Sequence, residues 1–258
     1  MNESHKYKLV YFHIPKCAGV SVRRAIGIDK SKNPFPYDNV STALAIDVRY
    51  STDDEIYNSY HKFSIIRNPF ERMVSLYSFR KKQGDLYIHA NLFDSDVGPD
   101  GKLWDFNRWI KSPVMKGTSN EGVTRMCKDT YFNEYWLYKK DTKDMYTEDQ
   151  SRHWTPEYVG RNYMRSHLEY LNQVDILSNP LTGGRLMADT ILRQENLNEE
   201  WDNMFKELGH LIAPKLPQRN KSEHKHYSHY YDDESISLVS KMFNKDLNFF
   251  GYEFEDKR

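Results

Sequence analysis

A buried strand that runs directly into a tight turn and then a helix is the feature that most constrains the fold of this chain. Residues 8–14, KLVYFHI, are rich in β-branched and aromatic side chains, which predicts a buried strand. Pro15 ends the strand, and small residues follow up to Ser21, which we expect in the first turn of a helix reaching about Ile28. A strand followed at once by a helix is typical of an α/β fold.

The turn between this strand and helix, HIPKCAGVS at residues 13–21, has the composition of an anion-binding loop. The backbone N–H groups of residues 17–20 would converge with the positive end of the helix, and Lys16 would add a mobile positive charge. Small side chains at Ala18 and Gly19 let an anion approach the backbone. The chain contains no GxxxxGK[ST] sequence, which weighs against an ordinary ATPase or GTPase. The alternative is a plain strand–helix turn whose lysine points to solvent.

A second segment, KFSIIRNPFERMVSLYSF at residues 62–79, repeats the same pattern. It predicts a buried strand, then Arg67 at the carboxyl end of that strand, then a helix over 71–83 that presents Ser75. In open α/β sheets, ligands bind outside the carboxyl ends of the strands. A guanidinium and a nearby hydroxyl both suit a phosphate, so two such strand ends predict a nucleotide with separated phosphates. The alternative for Arg67 is an ion pair with Glu71.

The rest of the chain alternates strands with helices, which predicts an α/β fold with a P-loop-like parallel sheet flanked by helices. We expect one domain over residues 1–258. Residues 30–50 are predicted to be irregular, and residues 85–160 to form a helical and irregular insertion that shapes a substrate cleft. The predicted strands are 8–14, 62–66 and 187–193. The predicted helices, besides the two above, are 53–60, 103–111, 130–140, 161–172, 197–208 and 233–247.

Composition excludes several classes of protein. The 37 Lys and Arg balance the 37 Asp and Glu, and a formal net charge of zero argues against broad binding to nucleic acid. Two cysteines are too few for a disulfide-rich scaffold or a four-cysteine zinc site. No apolar run approaches the ~20 residues that cross a bilayer, so we expect a cytoplasmic protein without a membrane span or signal peptide. His224, His226 and His229 have no carboxylate or cysteine at zinc-site spacing, so no metal is predicted.

The two anion-binding segments together resemble the cofactor segments of the carbohydrate-type sulfotransferases, enzymes that use 3′-phosphoadenosine 5′-phosphosulfate (PAPS). Three further stretches are similar to segments of that family: DTILRQENL at 189–197, LPQRNKSEH at 216–224 and KDLNFFGYEF at 245–254. The resemblance therefore extends over most of the chain, whereas residues 85–160 match no part of the family pattern.

The resemblance implies a role for each matching residue. The first segment would bind the 5′-phosphosulfate, and Lys16 would also stabilise negative charge on the bridging oxygen as the sulfuryl group leaves. The second segment would bind the 3′-phosphate, and a polar, basic loop would close over the nucleotide. The implied cofactor-binding residues are Lys16, Cys17, Ala18, Gly19, Val20 and Ser21 in the first segment, Arg67 and Ser75 in the second, and Arg219, Asn220, Lys221 and Ser222 in the loop.

The catalytic base is the point at which the chain departs from the family. Many members carry a histidine in a Gly-His-x-Thr-like stretch between the two cofactor segments, and the nearest match here, YDNVSTALAI at 37–46, has none. A base contributes typically ~10²–10⁴-fold in rate. His13 lies at the ligand end of its strand, and Asp38 lies in the stretch that replaces the family's histidine, so these two are the candidates. The other residues considered are His61, at the far end of its strand, and His153 and Glu121 in the insertion.

We therefore predict an enzyme that transfers a sulfuryl group from PAPS to a hydroxyl or amine of an acceptor, with a saccharide as the expected acceptor. Two alternatives stay open. One is a non-catalytic nucleotide- or glycan-binding module of the same fold. The other is a nucleotide-dependent phosphotransferase, which is disfavoured because no Walker lysine or metal-binding acid pair is evident. No oligomeric state is predicted.

Overall fold

A sheet of mostly parallel strands forms the centre of the computed structural model, which describes residues 2–28, 44–83, 104–111, 169–179, 182–217 and 225–258. Its strands are β1 (Glu3–Ser4), β2 (Leu9–Phe12), β3 (His61–Ile66), β4 (Ser178–Asn179), β5 (Arg185–Leu186) and β6 (Thr190–Arg193). The main sheet has the order β1-β2-β3-β6, with β2, β3 and β6 parallel and β1 antiparallel to β2. β4 and β5 form a separate antiparallel pair. The parallel sheet predicted from three strands is confirmed.

Burial explains why these segments become central strands. Every residue of β2 is buried, and so are the last four residues of β3. Strands that are covered on both faces need continuous apolar sequences, and helices on both sides of the sheet provide the cover. Tyr11 of β2 lies opposite Phe63 of β3, and their stacked rings have centroids 4.9 Å apart. The fold is therefore an α/β fold with helices flanking the sheet, as predicted.

Helices alternate with these strands along the chain. They are α1 (Gly19–Ala25), α2 (Ala45–Ser51), α3 (Asp54–Ser59), α4 (Pro69–Gln83), α5 (Phe106–Ile110), α6 (Gln173–Leu177), α7 (Leu197–Glu207), α8 (Asp233–Met242) and α9 (Asn244–Phe250). α1 follows β2 and α4 follows β3, so both predicted strand–turn–helix segments are present. Within the described ranges, no helix combines the length and the apolar character needed to span a membrane.

The prediction that residues 30–50 are irregular is wrong at their carboxyl end, where Ala45–Ser51 form α2. Leu44, Ala45, Ile46 and Val48 are all buried in the core around the sheet. Helix formation here depends on this packing, because a helix of seven residues is marginal in isolation. Residues 29–43 lie outside the described part of the chain.

The helix predicted over 233–247 is in fact two helices. α8 ends at Met242, Phe243 breaks the helix, and α9 continues to Phe250, beyond the predicted end at 247. Phe243 is fully buried, so the break turns its ring into the core instead of extending one straight helix across the surface. Gly251 then ends α9 with a left-handed φ of 68°, a conformation that glycine adopts without a steric cost.

The helix predicted over 161–172 is described only from residue 169. Residues 169–172 form a turn, and the helix that follows, α6, begins at Gln173. The predicted helix over 130–140 lies outside the described residues, as does most of the predicted insertion over 85–160. The part of the insertion that the structure describes contains α5.

Two hydrophobic cores organise the molecule. The first surrounds the sheet and includes β2, β3, α1, α2 and α6. The second is an aromatic core between α4, α5 and α8, in which Trp109 is fully buried and the Tyr77 hydroxyl donates to the carbonyl of Trp104 at 3.0 Å. α4 therefore has one side fixed in the second core, which leaves its other side facing the turn after β2.

Candidate active site

The two predicted anion-binding segments meet at one edge of the sheet. β2 and β3 are parallel neighbours, with Phe12 opposite Ser64, so both strands end on the same side. Arg67 follows β3, and one nitrogen of its guanidinium donates to the carbonyl oxygen of Lys16 at 3.1 Å. The residue predicted to bind one phosphate is thus hydrogen-bonded to the turn predicted to bind the other.

The turn after β2 has an unusual backbone. Lys16 and Ala18 adopt left-handed conformations with φ of 68° and 57°. Such a conformation costs a residue with a side chain about 1–2 kcal/mol, and strain of this kind concentrates at functional sites. The Cys17 N–H donates to the carbonyl of Ile14 at 3.4 Å, which takes it out of the predicted set of anion-binding amides. α1 begins at Gly19, and the first N–H groups of a helix have no partner within it.

His13 lies against this turn. Its half-buried ring is 5.6 Å from the ring of Tyr11, centroid to centroid. On its other side is Gly19, where an added Cβ would overlap the imidazole. Gly19 is therefore required for the close approach of His13, in addition to the approach of an anion that the sequence suggested. The structure brings His13, one of the two candidate bases, to the anion-binding turn.

The Lys16 side chain extends from the turn to α4. Its ammonium nitrogen, Nζ, lies 3.8 Å from the centroid of the Phe79 ring, a cation–π contact. Phe79, Ser75 and Glu71 are spaced by four residues on α4, and all three are half-buried. This face of α4 therefore forms one wall of the candidate site, with the Lys16 charge held against it.

The Arg67 guanidinium is largely enclosed. Only 11% of its side chain is exposed, and it forms an ion pair with Glu71 at 2.9 Å, the interaction that the sequence offered as the alternative. Its Nε is buried without a hydrogen-bond partner in the described part of the chain. Because a guanidinium carries five N–H donors, its contacts with Glu71 and Lys16 leave donors available to an anion.

Gln173, the first residue of α6, is a site residue that sequence analysis missed. Its side-chain oxygen accepts from the backbone N–H of Arg67 at 2.9 Å, and its side-chain nitrogen donates to the backbone carbonyl of Arg67 at 2.8 Å. Gln173 is fully buried. The sequence around it, LNQVDIL, gives no sign of this role, since an amide at a helix start is common and only the fold brings it to Arg67.

Cys17 is not a reactive thiol. Its side chain is fully buried, and burial raises the pKa of the thiol to about 12, opposite to the lowering that a helix start can produce. The sulfur lies 3.7 Å from the carbonyl oxygen of Pro15 and 3.5 Å from the side-chain oxygen of Gln173. Cys17 is therefore a small buried residue that packs the turn against α6.

Glu195 also has a structural role at this edge of the sheet. From its place in QENL at 194–197, the sequence predicts that Glu195 is a buried structural acid that fixes a loop or pairs with Arg193, and not a general base. Its carboxylate accepts from the N–H of Asn68 at 2.6 Å and from the hydroxyl of Tyr252 at 3.1 Å, whereas the Arg193 guanidinium donates to the carbonyl of Phe250. The residue as a whole is exposed, so the expectation of burial is wrong, and it fixes the residue that follows Arg67.

Several predicted site residues lie outside the described part of the chain. They are Asp38, the second candidate base; the loop residues Arg219, Asn220, Lys221 and Ser222; and His153 and Glu121. Their roles stay predictions. His61 lies at the start of β3, away from the candidate site, where its ring nitrogen contacts the Thr190 hydroxyl at 2.9 Å.

The structure is an α/β fold in which the turns after two adjacent parallel strands meet at one edge of the sheet, and comparison with known families identifies the family of the chain. A model of the sulfotransferase family matches residues 1–253. The chain therefore belongs to the sulfotransferase family, transferases that move sulfuryl groups, and the predicted family is confirmed. The search of curated proteins found no match.

The contact between His13 and Gly19 makes a testable prediction. Gly19→Ala should destabilise the protein by about 1–3 kcal/mol, the usual cost of overpacking, because the new methyl group overlaps the imidazole. In a His13→Ala background the same change should cost little, since the ring is gone. Urea unfolding of the four proteins closes this double-mutant cycle. An equal cost in both backgrounds would show that His13 does not pack on Gly19.

Proposed function

We propose that this sulfotransferase takes its sulfuryl group from PAPS and binds the nucleotide between the turn after β2 and the start of α4. The observation that carries the proposal is the hydrogen bond from Arg67 to the Lys16 carbonyl, because it joins the two segments that the resemblance assigns to the two phosphate groups. The donors present fit such a ligand. They include the Lys16 ammonium, the Arg67 guanidinium with its unpartnered Nε, and the first amides of α1.

Sulfuryl transfer makes two demands on the protein. When bound, PAPS would supply the sulfuryl group, which would exchange its bond to the bridging oxygen for a bond to the acceptor's oxygen or nitrogen. Lys16 stabilises the negative charge that develops on the bridging oxygen, and its flexible side chain reaches that position by leaving the Phe79 ring. The acceptor's proton passes to a base, for which His13 and Asp38 are the candidates.

The proposed acceptor is a hydroxyl or amine of a saccharide. This part of the proposal rests on the resemblance to carbohydrate-type sulfotransferases. The insertion's aromatic residues do not all support it, because Trp109 and Phe106 are buried in the second core and face no substrate. Trp104 is half-buried, and the Arg108 guanidinium lies over its ring at 3.4 Å from the centroid. The remaining aromatic residues of the insertion lie outside the described ranges.

The first test is nucleotide selectivity. The protein should bind 3′,5′-adenosine bisphosphate at least ~10-fold more tightly than 5′-AMP, since a charge-assisted contact to the 3′-phosphate contributes about 1.5–3 kcal/mol. Isothermal titration calorimetry with both nucleotides and ATP measures this. Arg67→Gln should lower the affinity for the bisphosphate to that for 5′-AMP. Equal affinities in the wild-type protein would contradict the proposed use of PAPS.

The second test concerns Lys16. Lys16→Ala should lower turnover by ~10²–10³-fold, the effect of removing one donor that stabilises transition-state charge, while the loss of its cation–π contact should lower the free energy of unfolding by only about 0.5–1 kcal/mol. Turnover is measured by transfer of radiolabelled sulfate. Lys81→Ala, at an exposed lysine on the same helix that Lys16 contacts, is the matched control and should keep full activity. Unchanged turnover in Lys16→Ala would remove Lys16 from the mechanism.

The third test identifies the base. His13→Gln fills the space against Gly19 but cannot take a proton at neutral pH. Asp38→Asn replaces the carboxylate by an amide, which cannot take a proton either. We expect at least one of them to lower turnover at saturating PAPS by ~10-fold or more, within the range for a general base. If both variants keep full activity, both assignments are wrong and the base lies elsewhere. Absence of turnover in the wild-type protein with any acceptor would instead favour the non-catalytic binding module.

A further inference from the structure

Gln173 connects the two halves of the candidate site. Its amide forms two hydrogen bonds with the backbone of one residue, Arg67, accepting from the N–H and donating to the carbonyl. The same side-chain oxygen lies 3.5 Å from the Cys17 sulfur in the turn after β2. One side chain thus contacts both segments that the proposed function assigns to the nucleotide's phosphate groups.

Gln173 is itself held by a buried carboxylate. Asp246 of α9 accepts from the Gln173 backbone N–H at 2.8 Å, from its side-chain nitrogen at 3.2 Å, and from the N–H of Val174 at 3.0 Å. Burial raises the pKa of Asp246, and the positive charge of Arg72, which is fully buried too, opposes that effect. Because the Asp246 carboxylate accepts from the side-chain nitrogen of Gln173, the amide has one favourable orientation. Its N–H₂ group faces Asp246, and its oxygen faces the Arg67 N–H and the Cys17 sulfur.

This geometry has a consequence for Arg67. Its guanidinium lies at the end of a long side chain, so a small change in its backbone moves the charge by a larger distance. The Arg67 backbone lies beyond the end of β3 at Ile66, where no further ladder pairing fixes it. The two hydrogen bonds from the Gln173 amide therefore fix the Arg67 backbone in place of strand pairing.

We propose that Gln173 is a positioning residue for recognition of the 3′-phosphate. It acts by fixing the Arg67 backbone and, through Cys17, by keeping the turn after β2 in place beside it. The proposal rests on the proposed function, because it assigns Gln173 to the nucleotide site. It predicts that loss of the amide weakens binding of a nucleotide that carries a 3′-phosphate much more than binding of one that lacks it.

The test is a comparison of two side-chain amides. Gln173→Met keeps the length of the side chain but removes its hydrogen bonds. Asn107→Leu is the matched control, because the side-chain oxygen of Asn107 in α5 accepts from the Asp232 N–H at 3.2 Å and from the Ser235 hydroxyl at 2.8 Å, in contacts that involve neither Gln173 nor Asp246. Both variants should lower the melting temperature. Calorimetry then gives, for each protein, the ratio of the dissociation constants for 5′-AMP and 3′,5′-adenosine bisphosphate.

We expect Gln173→Met to reduce this ratio by ~10-fold, since a charge-assisted hydrogen bond to the 3′-phosphate contributes about 1.5–3 kcal/mol and its loss lowers affinity accordingly. Asn107→Leu should leave the ratio unchanged. A ratio that is unchanged in Gln173→Met, or reduced equally in both variants, overturns the proposal. If Gln173→Met does not fold, Gln173→Asn takes its place. It keeps an amide but is one methylene group shorter, so it does not reach the Arg67 backbone in the same way and should also reduce the ratio; an unchanged ratio again overturns the proposal.

The two proposals fail in different ways. If the wild-type protein does not distinguish 3′,5′-adenosine bisphosphate from 5′-AMP, the proposed use of PAPS fails and the variants have no ratio to change. If the wild-type protein distinguishes them and Gln173→Met does so equally well, the nucleotide site stands and only the role of Gln173 is wrong.

Discussion

The parallel pairing of β2 with β3 is the interaction on which the candidate site depends. Parallel strands end on the same side of a sheet, so the turn after β2 and the turn after β3 lie next to each other. In an antiparallel pair, Lys16 and Arg67 would lie at opposite ends of the strands. The pairing in turn depends on burial, because the apolar sequences of both strands have to be covered by helices on both sides. The same residues that form the core therefore also bring the two cations together.

Burying polar groups at this edge of the sheet carries a cost that hydrogen bonds offset in part. Arg72, Gln173 and Asp246 are fully buried, and an unpaired buried charge would destabilise the protein strongly. Asp246 accepts three N–H bonds from α6, and Arg72 donates to the carbonyl of Leu171 at 2.6 Å, while two nitrogens of its guanidinium have no hydrogen-bond partner in the described residues. An apolar cluster of the same volume would hold these elements together, but it would not fix the direction of each backbone group. The polar network gives α4, α6 and α9 one relative arrangement.

The sequence predicted the strands and turns that depend only on short stretches of neighbouring residues. Apolar runs predicted all three parallel strands, and the composition of residues 13–21 and 62–79 predicted the two turns and their family. It did not predict what depends on contacts between distant residues. α2 forms because its apolar face is buried, and α8 and α9 separate because Phe243 turns into the core. Gln173 contacts Arg67 because the fold brings the start of α6 to the end of β3. In the same way, only the fold shows that Gly19 makes room for His13.

The two cations of the site are held by different kinds of contact. The Lys16 ammonium lies against the Phe79 ring, and a cation–π contact at a partly exposed site contributes about 0.5–1 kcal/mol. The Arg67–Glu71 ion pair is largely enclosed, so Arg67 keeps this partner and offers a ligand its remaining donors, including the Nε that has no partner in the described residues. A hydrogen bond to a charged phosphate oxygen contributes about 1.5–3 kcal/mol. The Arg67 backbone, fixed by Gln173, therefore does not need to move when a phosphate binds.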